Sequence, residues 1–149
     1  NDEEMTSEYE KALQNILCLM IIADDKVEDE EIKTVSNIND VDVDVEGSKI
    51  RNSNKFKSEG INVNFIEYND ILKIRTYERG VESETLSCGT GVVASAIAIH
   101  HSGIVDENII SLVTRGGDLS VMFEEFNGIY RNIWLTGSAN LVYIGEFEC

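Results

Sequence analysis

Cys88 stands between a charged loop and a run of small residues: Thr76-Tyr77-Glu78-Arg79-Gly80-Val81, then Glu84-Thr85-Leu86-Ser87-Cys88-Gly89-Thr90-Gly91. The stretch Val92-Val93-Ala94-Ser95-Ala96-Ile97-Ala98-Ile99 follows at once, of helical length and rich in alanine, and His100-His101-Ser102-Gly103 ends it. Gly103 suits a C-cap, and histidines suit the negative end of a helix dipole. Cys88 thereby falls at the N-terminus of a helix. The first N–H groups there lack internal acceptors and together carry about half a positive charge. Gly89, Thr90 and Gly91 leave that backbone open to a carboxylate or phosphate, and the same field favours thiolate over thiol. A thiolate beside an anion cradle, with a Glu-Arg pair upstream, suits proton transfer at a carbon next to a carboxylate. The competing reading is a small hydrophobe packed at a helix start, with the glycines serving the turn.

A helix apolar almost all round belongs inside a fold, so this one is expected to be a central buried element. Residues 62–67 and 72–77 alternate as strands of a hairpin across Tyr68-Asn69-Asp70. Residues 109–114 and 119–124 form a second hairpin around Arg115-Gly116-Gly117-Asp118. Asn127-Gly128 is a type I′ signal between residues 121–125 and 129–135, and residues 141–147 close the set as a last strand. Asp40-Val41-Asp42-Val43-Asp44-Val45 alternates too, but a loop leading into a helix over 45–53 is preferred, with Ile50 inward and Lys49 and Arg51 outward. The expected class is α+β: a curled, mostly antiparallel sheet wrapped round a central apolar helix, preceded by a short helical pair.

That pair occupies residues 1–37. Residues 8–23 read as a helix, with Tyr9, Leu13, Ile16, Leu17 and Met20 on one face, and 28–38 as a second, acidic helix. Asp24, Asp25, Glu28, Asp29 and Glu30 lack the spacing and the turn glycine of a calcium loop and are expected to be a solvated helix start. Cys18 is assigned to the core. With 149 residues there is room for one domain and a small appendage. Aspartate and glutamate number 28 against 12 lysine and arginine, a formal charge of -16 that repels nucleic acid and acidic membranes. No run reaches transmembrane length and nothing marks export. Three widely spaced cysteines argue against a disulfide framework or a zinc site and fit a reducing cytoplasm.

Glu78-Arg79-Gly80 with Glu84 through Gly91 resembles the second catalytic motif of diaminopimelate epimerase, a family of cofactor-independent amino-acid epimerases. The likeness extends through Gly60-Ile61-Asn62-Val63-Asn64-Phe65, Thr114-Arg115-Gly116-Gly117-Asp118-Leu119, Trp134-Leu135-Thr136-Gly137 and Tyr143-Ile144-Gly145-Glu146, roughly residues 38–147. Residues 38–149 are therefore expected to form an epimerase-like C-terminal domain behind a helical segment, itself weakly similar to the tellurite-resistance TerB-like family. The resemblance implies an isomerase of lysine and peptidoglycan-precursor synthesis that interconverts LL- and meso-diaminopimelate without pyridoxal phosphate or metal. It implies Cys88 as one of two catalytic thiols, base toward one enantiomer and acid toward the other. The backbone of Gly89 and Thr90 would hold the substrate's α-carboxylate. Glu78 and Arg79 would grip the distal ammonium and carboxylate, Glu78 would also tune the thiol, and Asn62 would bond the distal end. Tyr143 matches a position associated with dimer formation. The plainer readings are a surface ion pair for Glu78–Arg79, a turn amide for Asn62 and sheet packing for Tyr143. His100 and His101 are most simply residues of a helix end.

The family's first half carries its own cysteine motif with the opposing thiol, and nothing in this sequence resembles it. The asparagine-proline-histidine segment that usually opens the second half is also missing. The chain alone is thus expected not to epimerise its substrate and to need the missing N-terminal half or a homodimer partner, with no nucleic-acid or membrane partner. The alternative is a non-catalytic epimerase-like binding or interaction module.

Overall fold

The computed structural model describes residues 37–147 in full and residues 17–23 and 26–28 by their backbone. Strands β1 (Leu17–Ala23), β2 (Lys26–Glu28), β3 (Asn62–Asn69), β4 (Ile71–Glu78), β5 (Ser83–Thr85), β6 (Ile109–Thr114), β7 (Gly117–Phe126) and β8 (Ile129–Gly137) form one sheet. Their order is β2-β1-β3-β4-β6-β7-β8, with β5 paired to β4. Neighbours run antiparallel except β4 and β6. A parallel pair needs a crossover, and helix α2 (Gly89–His101) lies on it. The sheet is mixed and does not close, in keeping with the expected α+β class.

Helix α2 touches β1, β3, β4, β6, β7 and β8, so the sheet bends round it. Val92, Ala96 and Ile99 pack with Ile66, Leu72, Ile74, Ile110, Leu112, Val121 and Phe123. Each of the larger side chains buried in this way stabilises the fold by about 1.5–3 kcal/mol before entropy is counted. Alternation sends Val63, Phe65 and Tyr77 to the opposite face, against Ile38, Val41, Val43, Phe56 and Ile61. Helix α1 (Val43–Arg51) belongs to this second layer. Strand β3, covered on both faces, is accordingly buried at four successive positions.

Several expectations change. Residues 17–23 are a strand, not the end of a helix, and pair with β3 from Leu17↔Glu67 to Ile22↔Asn62. Residues 26–28 are likewise a strand. The helical reading, and with it the TerB-like resemblance, does not hold there. Both strands belong to the sheet although they lie before the boundary expected after residue 37. The rest of the helical segment lies outside the described residues, as do Tyr9, Leu13, the side chain of Cys18 and most of the acidic run. Helix α1 starts at Val43 because the Asp42 carboxylate accepts the amide of Val45, and it ends at Arg51 rather than Ser53. Lys49 points outward, but Arg51 is largely buried and pairs with Glu82 at 3.4 Å. Residues 141–147 form no strand and are exposed. Asn127 and Gly128 both have positive φ (53° and 78°), as a type I′ turn requires.

Candidate active site

The thiol is held by three segments. Strand β4 runs into a turn at 78–82 closed on the Glu78 carbonyl by the amides of Val81 (3.2 Å) and Glu82 (2.8 Å). The Glu82 carboxylate completes this turn, accepting from the Gly80 amide and the Tyr77 hydroxyl. Strand β5 then leads into Cys88, the N-cap of α2, with extended backbone at φ -120°. Strand β3 brings Asn62 alongside.

At the sulfur, Asn62 Nδ2 lies 3.8 Å away and Thr90 Oγ1 3.4 Å away. Cys88 is buried at 5% exposure, with the polar side chains of Asn62 and Thr90 as neighbours of its sulfur. The Cys88 side chain makes no capping bond to α2, the first turn of the helix holds no acidic residue, and Gly89 and Thr90 are exposed. An exposed helix start without an acidic side chain offers the N–H donors and positive field that an anion seeks. Gly89 also makes room for β8, since a Cβ there would lie 3.2 Å from Leu135 Cδ2. At Gly91 a Cβ would run into Asn64 Oδ1, so the glycine lets the first turn of α2 rest directly on β3.

The segment carrying the thiol is fastened by charge. Arg75 grips the Glu84 carboxylate with two bonds of 2.7 Å, and Arg115 adds a third at 2.8 Å. Arg75 also donates to the carbonyls of Ile38 and Val41, and Asp44 accepts the amide of Glu84 at 2.6 Å. Gly116 N–H donates to the Leu86 carbonyl at 2.8 Å. Hydrogen bonds from Arg75 hold the Glu84 carboxyl below the usual glutamate range against an opposing effect of burial. The amide of Glu84 does the same for Asp44.

Of the residues singled out in the sequence, Asn62, Cys88, Gly89 and Thr90 come together. Arg79 is tied to them by its backbone N–H, which donates to Asn62 Oδ1 at 2.8 Å. Its guanidinium rests on the carbonyls of Glu59 (3.2 Å) and Gly60 (3.3 Å), so it forms no surface ion pair with Glu78. Glu78 is half-buried at the end of β4. Tyr143 is 83% exposed and outside any strand, which removes the sheet-packing reading. His100 lies at the far end of α2, its Nδ1 2.8 Å from the Tyr130 hydroxyl. Sequence reasoning passed over Arg75, Arg115 and Glu84 as a group. Glu84 lies inside the motif, but only the pairing of β4 with β5 brings Arg75 beside it. Among the described residues no cluster of His, Cys, Asp and Glu could hold a metal, and no helix is long and apolar enough to cross a membrane.

The sequence that builds this arrangement is similar to known proteins. A family model described as diaminopimelate epimerase matches residues 21–142. Proteins named diaminopimelate epimerase match from Flavobacterium psychrophilum (44% identical, over 75% of this chain and 44% of the relative) and Aquifex aeolicus (41%, over 76% and 41%). A third, from Chlorobaculum tepidum, is 40% identical over 76% of this chain and 44% of the relative. The chain spans less than half the length of these relatives. The match begins inside β1 and runs through both hairpins and the thiol-bearing turn, and on this ground the chain belongs to the diaminopimelate epimerase family.

Proposed function

We propose that this domain supplies one thiol of a two-thiol epimerase acting on diaminopimelate, and that the opposing thiol comes from another polypeptide segment. The observation that carries the reading is the sulfur of Cys88 at an uncapped helix N-terminus, between Asn62 and Thr90. As thiolate it removes the α-proton, forming S–H, while the electron pair of the broken C–H bond passes toward the α-carboxylate. The amides of Gly89 and Thr90 stabilise the charge developing there. The opposing S–H delivers a proton to the other face, and the roles exchange in the reverse direction. Arg79, released from its two carbonyl acceptors, and Glu78 suit a second carboxylate and ammonium at the distal end. Asn62 stands between that end and the sulfur.

The need for a second segment draws support from the exposed apolar groups of β8 and the tail. Trp134, Leu141, Val142, Tyr143, Ile144 and Phe147 are each at least 64% exposed. Tyr143 lies among them and suits contact with the missing half or a second copy. The test is conversion of LL- to meso-diaminopimelate by the purified chain, alone and mixed with the N-terminal half of a relative. The chain alone is expected to be inactive, the mixture active, and Cys88→Ala inactive in the mixture. Conversion by the chain alone at an ordinary enzymatic rate overturns the incompleteness. Calorimetric titration of meso-diaminopimelate without heat, in wild type and Arg79→Ala alike, together with an inactive mixture, points instead to a non-catalytic binding module.

A further inference from the structure

We infer that Asn62 is a positioning residue for the Cys88 sulfur, its side-chain amide donating to the thiolate while its carbonyl is locked on the main chain of Arg79. The inference rests on the reading of Cys88 as a reactive thiol and adds to Asn62 a task separate from contact with substrate.

The argument turns on which way the amide faces. The backbone N–H of Arg79 can only donate, and it points at Asn62 Oδ1 from 2.8 Å. That fixes the oxygen on one side and turns the NH2 group to the other, where Cys88 Sγ lies at 3.8 Å. The orientation of an asparagine is thus decided by its hydrogen-bond network. An NH2 group facing sulfur stabilises the thiolate and offers a thiol S–H nothing to donate to. Thr90 behaves differently. Its hydroxyl, 3.4 Å from the sulfur, rotates to donate or accept, so it serves either state. Of the two neighbours, Asn62 is therefore the one fixed as a donor to the sulfur. Of the neighbouring charges, Glu84 is engaged by Arg75 and Arg115, and α2 has no acidic residue in its first turn. Glu78 and Arg79 are the charged residues of the adjoining turn, the Arg79 guanidinium being held on the carbonyls of Glu59 and Gly60.

The test uses the intact protein and the pH dependence of Cys88 alkylation by iodoacetamide, read by peptide mass spectrometry so that Cys18 and Cys149 are scored separately. Asn62→Ala and Asn62→Asp are compared with wild type. Asn69→Asp adds the same charge at the other end of β3 as a control. At neutral pH the Asn62→Ala rate is expected to fall about tenfold, the effect of losing one hydrogen bond to a charged group. Asn62→Asp falls further, and Asn69→Asp keeps the wild-type profile. All rates converge at high pH, where every thiol is ionised, which separates this effect from a change in access. In the wild type the Asn62 side-chain NH2 resonances follow the same titration and lose it in Cys88→Ser, a readout that needs no Asn62 variant. Folded Asn62 variants with the wild-type midpoint, or NH2 resonances blind to the titration, overturn the inference. A wild-type Cys88 profile equal to that of the urea-unfolded chain overturns the reactive-thiol reading, and the inference with it.

Discussion

Glu84 lies four residues before the thiol, its carboxylate shared by Arg75 and Arg115 and its side chain 8% exposed. Removing its charge leaves Arg75, itself 17% exposed, without its main counter-ion. Breaking a fully buried pair costs about 3–5 kcal/mol, and partial exposure at Arg115 reduces that. Glu84→Gln is therefore expected to lower stability by about 1–3 kcal/mol in urea unfolding. The pH dependence has a definite sign. The folded carboxyl lies below its unfolded value, so its contribution is present in full above about pH 4.5 and is lost as pH falls through the folded value. The stability difference between wild type and Glu84→Gln should shrink from pH 6 to pH 3. A constant difference would mean that the ion pair contributes nothing.

Helix α2 depends on a missing side chain as much as on those it buries. Its first turn approaches β3 at Gly91, where Asn64 is fully buried and bonded to the Thr76 hydroxyl at 2.9 Å. Asn64 has no room to give way. Gly91→Ala should therefore overpack this contact, costing about 1–3 kcal/mol despite alanine's better helix propensity. A higher melting temperature would show that the helix can shift at no cost. For α1 the exposed cap decides. Asp42→Ala removes the carboxylate that accepts the Val45 amide and should cost about 1 kcal/mol in urea unfolding, with the Cys88 alkylation rate unchanged.

The molecule is lopsided in its apolar surface. Beyond the core, Ile109, Met122 and Trp134 stand in register across β6, β7 and β8, and the tail at 141–147 adds a further exposed run. Trp134 is the one tryptophan, which makes it a reporter. Its emission should be quenched freely by acrylamide in the isolated chain and move to shorter wavelength when the N-terminal half of a relative is added. No shift in an active mixture would place the docking surface elsewhere. The formal charge of -16 acts over the whole chain as self-repulsion, so moderate salt should raise the melting temperature by screening it.

Local chemistry alone was enough for α2, the β3–β4 and β6–β7 hairpins and the type I′ turn. Small apolar residues, turn residues and a C-terminal glycine act within a few positions of one another, and so does the placing of Cys88 at a helix start. Residues 17–23 were beyond that reach. Leu-Cys-Leu-Met-Ile-Ile-Ala is apolar throughout and satisfies helix and strand equally, so the edge of β3 decides. The tail failed in the opposite sense: Leu141, Tyr143 and Ile144 suit a strand, yet a strand needs a neighbour's hydrogen bonds and this one has none among the described residues. Tertiary structure alone brought Asn62 to Cys88 and Arg75 to Glu84, because sheet pairing joins positions that sequence distance keeps apart. The thiol's place was written locally; the groups that orient it were set by the strands around it.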